Sequence, residues 1–387
     1  MSSARNYDVI VIGVGAMGGA AAWQLAQRGY RVLALDQFAP PHQRGSSHGR
    51  TRVIRTAYYE HPAYVPLVRR AFMLWYDLEQ ITGRHLLTPC QCLNLGPSDG
   101  TLIPALKATV EQHQLPAQLL SAAEIRQQFP PLHVPDHYQG LLEDHAGFLA
   151  VEDCVAAQIE AARLAGADIH LNEPVLDWQQ EHGTYLITTA AERYQSARLV
   201  IAAGAWATHL LRRLHIPLTV MRQVMLWFDV GKRRGDFCRD RFPIFIAETA
   251  DGDFYGLPAI DPLGLKVARH YGAPELPDPD TVCWETSEED AIPVRHFVDE
   301  FLPGLGEITQ MQVCLYTLTP DRHFVVDLEP TTRSSLAIAA GFSGHGFKFA
   351  PVIGEILADL VTTGSTSYSI DLFRISRFRD CPSAAVP

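Results

Sequence analysis

The stretch GVGAMGG sets Gly13, Gly15 and Gly18 in the spacing that holds a dinucleotide, and an acid, Asp36, follows it. Gly13 permits a tight turn, Gly15 lets backbone approach a pyrophosphate, and Gly18 lets a helix pack closely on a strand, leaving backbone N–H groups aimed at phosphate. Asp36, roughly 20 residues beyond the turn, is placed to accept hydrogen bonds from a ribose hydroxyl. The pattern alone does not choose between FAD and NAD.

Four other stretches carry residues suited to redox or proton chemistry. SSHGRTRVIR contains His48, Arg52 and Arg55, and its two later arginines, three apart, share one face if the stretch is helical. LKVARH contains Lys266 and His270, four apart, a spacing that fits one face of a helix or of a strand. Cys314, in QVCLYT, reads on its own as a small buried hydrophobe. AGFSGHGFKFA offers His345 and Lys348 among Gly341, Gly344 and Gly346, which let backbone pass close to a bound ligand.

The elements that must position these residues are legible as patterns. YDVIVI is an apolar, β-branched strand before the glycine turn, AAAWQLAQRG a helix after it, and YRVLALD a second strand ending at Asp36. SARLVIAAGAWATHLL and LAIAAGFSGHGFKFAPVIGEILADLV repeat the order strand, glycine turn, helix, so the nucleotide domain is assembled from separate segments. RQVMLWFDV and GDFYGLPAI alternate like antiparallel strands of a second sheet covering the substrate.

Composition bounds the function. A chain of 387 residues is long enough for two domains, and 47% apolar with 19% charged residues is ordinary for a soluble globular protein. No apolar run of about 18 residues lacks glycines or charges, so neither a transmembrane helix nor a membrane partner is expected. A net charge of −11 argues against nucleic acid. The seven cysteines, at 90, 92, 154, 238, 283, 314 and 381, with no export signal, point to reduced thiols in the cytoplasm. Cys90 and Cys92 are spaced CxC without a second pair, and His133, Asp136 and His137 of HVPDH read as a solvent loop, so no metal is expected.

The N-terminal motif together with PPHQRGSSHGRTRVIRTAY, VCLYTLTPDRHFVVD and AAGFSGHGFKFA resembles the monomeric sarcosine oxidase and N-methyl-L-tryptophan oxidase family of flavoproteins. The resemblance runs from Tyr7 to about Phe378, and the echoes NLGPSDGT, VPDHYQGL and FRISRF lean toward the N-methyltryptophan branch. It implies FAD attached covalently through Cys314, with His48, Arg52 and Lys266 near the flavin ring. It places Lys266 where oxygen is reduced, makes Arg52 and His270 part of the catalytic set, and has Arg55 and Lys348 read a substrate carboxylate. Tyr255, Tyr316, Ile246 and His345 match the substrate pocket, and Gly344, Gly346 and Lys348 lie against the cofactor. Two departures stand out: Arg50 replaces a frequent acid and Ser47 a second histidine, changing the electrostatics at the flavin edge.

The fold expected is α/β plus antiparallel β, a discontinuous Rossmann-like FAD-binding domain with a second, mostly antiparallel substrate domain. Residues 1–85, 145–220 and 321–387 form the first, and 86–144 and 221–320 the second. The activity expected is oxidative demethylation of an N-methyl amino acid by a monomeric enzyme, with oxygen as acceptor and hydrogen peroxide and formaldehyde as products. The alternative substrate is a cyclic secondary amino acid such as pipecolate or proline. Cys314 and the GHGFK loop argue against an NAD-dependent dehydrogenase. The joint presence of Arg55, Lys266, His270 and Lys348 argues against a flavin-holding module without turnover.

Overall fold

The computed structural model describes residues 4–331 and 335–378. Its first layer is an eight-stranded sheet whose parallel centre runs Leu336–Ala340, Arg193–Ile201, Arg5–Ile12, Val32–Leu35, Asp168–His170. Alternation along the central strand explains its place. Val9 and Val11 face the helices Ala16–Gln27, Val151–Leu164 and Ala350–Thr363, whereas Ile10 and Ile12 enter a separate cluster with Leu33, Leu35, Tyr185 and Ile187. The antiparallel strands Val175–Glu181 and Thr184–Thr189 extend one edge, and Val325–Leu328 joins Leu336–Ala340 antiparallel. The helices Ala16–Gln27 and Ala350–Thr363 touch at Gly354, where a Cβ would lie 2.6 Å from that of Ala20.

The second layer is a nine-stranded sheet running Glu275–Leu276, Thr219–Phe228, Leu265–Arg269, Gly252–Leu257, Ile244–Thr249, Cys92–Pro97, Tyr138–Glu143, Ala117–Ser121, with Ile308–Leu318 also paired to Thr219–Phe228. Its pairs are antiparallel except one: Ile244–Thr249 runs parallel to Cys92–Pro97, joining two parts of the chain far apart in sequence. The helix Glu288–Phe301 covers one face, with Phe297 stacked on Phe254 at 4.4 Å between ring centroids.

A small third sheet pairs Thr51–Arg55 and Leu87–Pro89 with Ala146–Ala150. The condition for Arg52 and Arg55 to share a helical face is therefore not met. TRVIR is a strand, because its β-branched residues pair with AGFLA, whose register brings Arg52 opposite Leu149 and Arg55 opposite Ala146. The HVPDH loop exposes His133, Asp136 and His137, with Asp136 paired to Arg126.

Candidate active site

The glycine turn leaves the strand Arg5–Ile12 and enters the helix Ala16–Gln27, whose N-terminus has no side-chain cap at Gly15. Its first N–H groups are thus left for a ligand. A Cβ on Gly13 would sit 2.5 Å from the Ala202 carbonyl oxygen, and one on Gly18 only 1.8 Å from that of Gly13, so packing within the protein requires both glycines. At Gly15 a Cβ would meet only Ser47 Oγ, at 3.8 Å. Gly15 therefore borders open space, a cavity of about 680 Å³ that runs past Asp36 and Arg52 to Tyr316, Gly344 and Gly346. Asp36 accepts N–H bonds from Val14 at 2.7 Å and Phe38 at 2.8 Å, so it locks the turn while keeping lone pairs for a ribose.

The glycines of the late loop also answer to the protein's own packing. Tyr316 leaves a Cβ on Gly344 only 2.3 Å, and Phe342 leaves one on Gly346 2.5 Å.

Arg52 links this cavity to the buried Cys314. Its Nη2 donates to Cys314 Sγ at 3.3 Å and to the Ser46 carbonyl at 3.0 Å. Lys266, also buried, donates from Nζ to the carbonyls of Gly49 at 2.8 Å and Thr51 at 3.0 Å, and lies 5.2 Å from the centre of the Trp227 ring. Burial, reinforced by Arg52, pulls its pKa well below the usual lysine value. His48 is fully buried, with no hydrogen-bond partner of normal geometry for either ring nitrogen. Burial and then Arg52 drive its pKa down to about 3, so the imidazole is neutral.

A second, small cavity of about 70 Å³ brings Arg52, Arg55, Ile246, Tyr255, His270, Tyr316, Gly344, His345 and Lys348 around one space. Arg55 is buried there and donates from Nη2 to both carboxylate oxygens of Glu60, at 3.0 and 2.8 Å, and from Nη1 to the Ala57 carbonyl. Lys348 Nζ donates to the His345 carbonyl at 2.8 Å and to the Tyr58 hydroxyl at 3.3 Å. His345 Nε2 faces the Arg322 carbonyl at 3.1 Å and so carries the proton, which leaves Nδ1 to accept from Tyr58 at 2.8 Å.

The electrostatics of this pocket are set by burial working with or against the ion pairs. Burial would raise the Glu60 pKa, but Arg55 first, then His345 and Lys348, hold it at about 2. Burial and then Arg55 lower Lys348 to about 7, with Glu60 opposing. Burial takes His270 to about 3, and it is neutral beside Tyr316, whose hydroxyl lies 3.2 Å from Nδ1.

The FAD dependent oxidoreductase family matches residues 8–360 of this chain. A monomeric sarcosine oxidase of Streptomyces avermitilis is 40% identical over 382 residues, covering 98% of this chain and 99% of that protein. An N-methyl-L-tryptophan oxidase of Yersinia pestis is 35% identical over 376 residues, covering 97% and 100%. The chain belongs to the monomeric sarcosine oxidase and N-methyl-L-tryptophan oxidase family. Among solved structures, the fold is shared with the open form of NikD, an unusual amino acid oxidase, at TM-score 0.85 and 24% identity over 96% of this chain and 97% of that one. It is also shared with an L-proline dehydrogenase from P. horikoshii, at TM-score 0.83 and 23% identity over 97% and 98%. Over the full length the identity is 40% to this sarcosine oxidase and 35% to this N-methyl-L-tryptophan oxidase.

This member of the family is an FAD-dependent oxidoreductase acting on CH–NH donors with oxygen as acceptor. The residues present suit FAD. The uncapped helix N-terminus and the open space at Gly15 suit its pyrophosphate, Asp36 its ribose, and the unpartnered His48 nitrogens a polar ring edge. Three carboxylates around the site had no sequence reading. Glu60 follows Arg55 in a loop with no motif; Glu143 accepts the Thr56 and Ala57 N–H groups at 2.8 and 2.9 Å, and burial lifts its pKa to about 7. Glu152, at the start of the helix Val151–Leu164, binds the backbone of Gly49 and Arg50.

Proposed function

We propose that this enzyme oxidatively demethylates a small N-methyl amino acid of the sarcosine type. The observation that carries this reading is the pair of buried cations, Arg55 and Lys348, on a cavity of about 70 Å³. Two cations on one space suit a carboxylate, which fixes the orientation of an amino acid by charge-assisted bonds. The volume favours a substrate with little or no side chain, because sites that enclose drug-sized ligands hold about 300–1,000 Å³. An indole would require the walls to move.

FAD, when bound, takes two electrons from the C–N unit of the substrate and returns them to oxygen, which becomes hydrogen peroxide with two protons. The chain does the rest. Arg55 and Lys348 hold the carboxylate, while Tyr255, Tyr316, Ile246 and the neutral His270 wall the amine end. The positive surroundings disfavour an ammonium and so favour the free amine that oxidation needs. Lys266 supplies charge and a transferable proton on the oxygen side, and Cys314, with Arg52 as its neighbour, is the attachment point for the flavin. The resulting imine hydrolyses to formaldehyde and the primary amine.

The eight-stranded sheet draws on residues within 1–85, 145–220 and 321–387, which supports assigning those segments to the cofactor domain and 86–144 with 221–320 to the substrate domain. We read the enzyme as a monomer of the cytoplasm; the six cysteines among the described residues are all free. The deciding experiment is peroxide release by purified enzyme on sarcosine, N-methyltryptophan, pipecolate and proline, with formaldehyde assayed alongside. Sarcosine should turn over fastest, with one formaldehyde per peroxide. Turnover confined to N-methyltryptophan, or to ring substrates without formaldehyde, would overturn the assignment.

A further inference from the structure

The turn that receives Lys266 is held from two directions. Gly49 and Arg50 both adopt positive φ, 90° and 66°, which points their successive N–H groups at one carboxylate. Glu152 is that carboxylate: it accepts from Gly49 N at 2.8 Å and from Arg50 N at 3.1 and 3.2 Å. The Val151 N–H donates to the Arg50 carbonyl at 2.9 Å, so the turn is seated on the first turn of the helix Val151–Leu164. From the opposite side the Arg50 side chain pairs with Asp261 at 2.6 Å. Asp261 caps the bend leading into Leu265–Arg269, the strand that carries Lys266, by accepting from Leu263 N at 2.8 Å. Between these anchors the Gly49 and Thr51 carbonyls take two of the three N–H donors of Lys266.

We propose that Glu152 and the Arg50–Asp261 ion pair are positioning residues for Lys266: they clamp the Gly49–Thr51 turn and so fix the ammonium on the oxygen side of the cofactor. Arg50 then has a defined task in this chain. The clamp joins the turn to both the helix behind it and the strand bearing the lysine, so loosening either anchor moves the acceptors of Nζ, and neither anchor lines the substrate cavity. The inference rests on the reading of Lys266 as the group that assists oxygen reduction.

The test uses FAD-loaded enzyme and the variants Glu152→Gln, Arg50→Gly, Arg50→Lys and Lys266→Met. Arg50→Gly removes the ion pair while suiting the positive φ. Two readouts are taken: amide hydrogen exchange at residues 49–51 without substrate, and stopped-flow rates of anaerobic reduction and aerobic reoxidation. Glu152→Gln and Arg50→Gly should each speed exchange. Each should slow reoxidation about tenfold with reduction held within about twofold, as expected when a group is displaced by a fraction of an ångström. Arg50→Lys should restore both readouts. Unchanged exchange, wild-type reoxidation, or equal slowing of both half-reactions would overturn the clamp. Should Glu152→Gln fail to fold, Arg50→Gly carries the same test. Equal slowing of both half-reactions in Lys266→Met would instead remove the role of the lysine, and the proposal with it.

Discussion

Glu60→Gln separates the worth of the Arg55 charge to an incoming carboxylate from the interaction that charge already has. In the structure, Arg55 holds both oxygens of Glu60, and the ion pair is 2.8 Å long with side chains only 3% and 11% exposed. At that separation and an effective dielectric of about 20, the gross attraction is about 6 kcal/mol. A substrate carboxylate of the same charge must end that pairing to gain its own, so the two nearly cancel. With glutamine, the displaced partner is a neutral amide, whose bond to a guanidinium contributes about 1.5–3 kcal/mol. The difference, about 3–4.5 kcal/mol, should raise carboxylate affinity about a hundred- to a thousandfold. The unliganded variant should be less stable by about 3–5 kcal/mol, because Arg55 is left buried without a counter-charge. The assay is a flavin absorbance titration with methoxyacetate, which keeps the length and carboxylate of sarcosine but cannot be oxidised at nitrogen, and with methoxyacetamide as the uncharged control. Tighter methoxyacetate with unchanged amide is the expected result. Unchanged or weaker methoxyacetate, or a parallel gain by the amide, would show that Glu60 does not compete for Arg55.

Methoxyacetate affinity should also depend on pH through Lys348. With its pKa lowered to about 7, the lysine is protonated below that pH and loses its proton above it. Affinity should therefore be flat below pH 7, then fall about tenfold per unit until the higher pKa of the complex is reached. Glu60 at about 2, His270 at about 3 and His345 at about 4 do not titrate in this range, whereas Glu143, at about 7 and coupled to Arg55, does; Lys348→Met should therefore leave only a weaker slope, which adding Glu143→Gln should abolish. Acid-precipitated wild-type enzyme should keep its yellow colour and Cys314→Ala should release it; free FAD from the wild type would end the attachment argument. Gly18→Ala should fold poorly or lose FAD, since its Cβ would meet the Gly13 carbonyl at 1.8 Å. Full flavin content and wild-type melting would contradict the requirement for a glycine there.

The parts of this site that are legible in the sequence are those set by local rules. Gly13 and Gly18 announce themselves because a strand, a tight turn and a helix must meet within a few residues, and the alternation of Val9 to Ile12 needs only the pleat of a strand. The arginines of TRVIR mislead because the spacing fits a helix, while the decisive pairing lies about 90 residues away in AGFLA. Glu143 and Glu152 are silent for the same reason. They bind backbone 87 and 103 residues distant, and a carboxylate gives no local sign that it will serve an amide so far along the chain. Glu60 is nearer, five residues from Arg55, yet its partner is fixed by burial rather than by helical spacing.

The closeness of Gly354 to Ala20 bears on the order of events during synthesis. The helix bearing Gly354 leaves the ribosome long after the helix Ala16–Gln27, yet the two pack together, and Leu336–Ala340 joins the sheet that already holds Arg5–Ile12. The nascent chain must keep that part of the apolar face of Ala16–Gln27 waiting while about three hundred residues are added. The loop with Gly344, Gly346 and Lys348 arrives in the same late instalment. A growing chain therefore has a pyrophosphate turn long before it has walls for a ring, and it cannot enclose its pigment until the loop with Gly344, Gly346 and Lys348 has emerged.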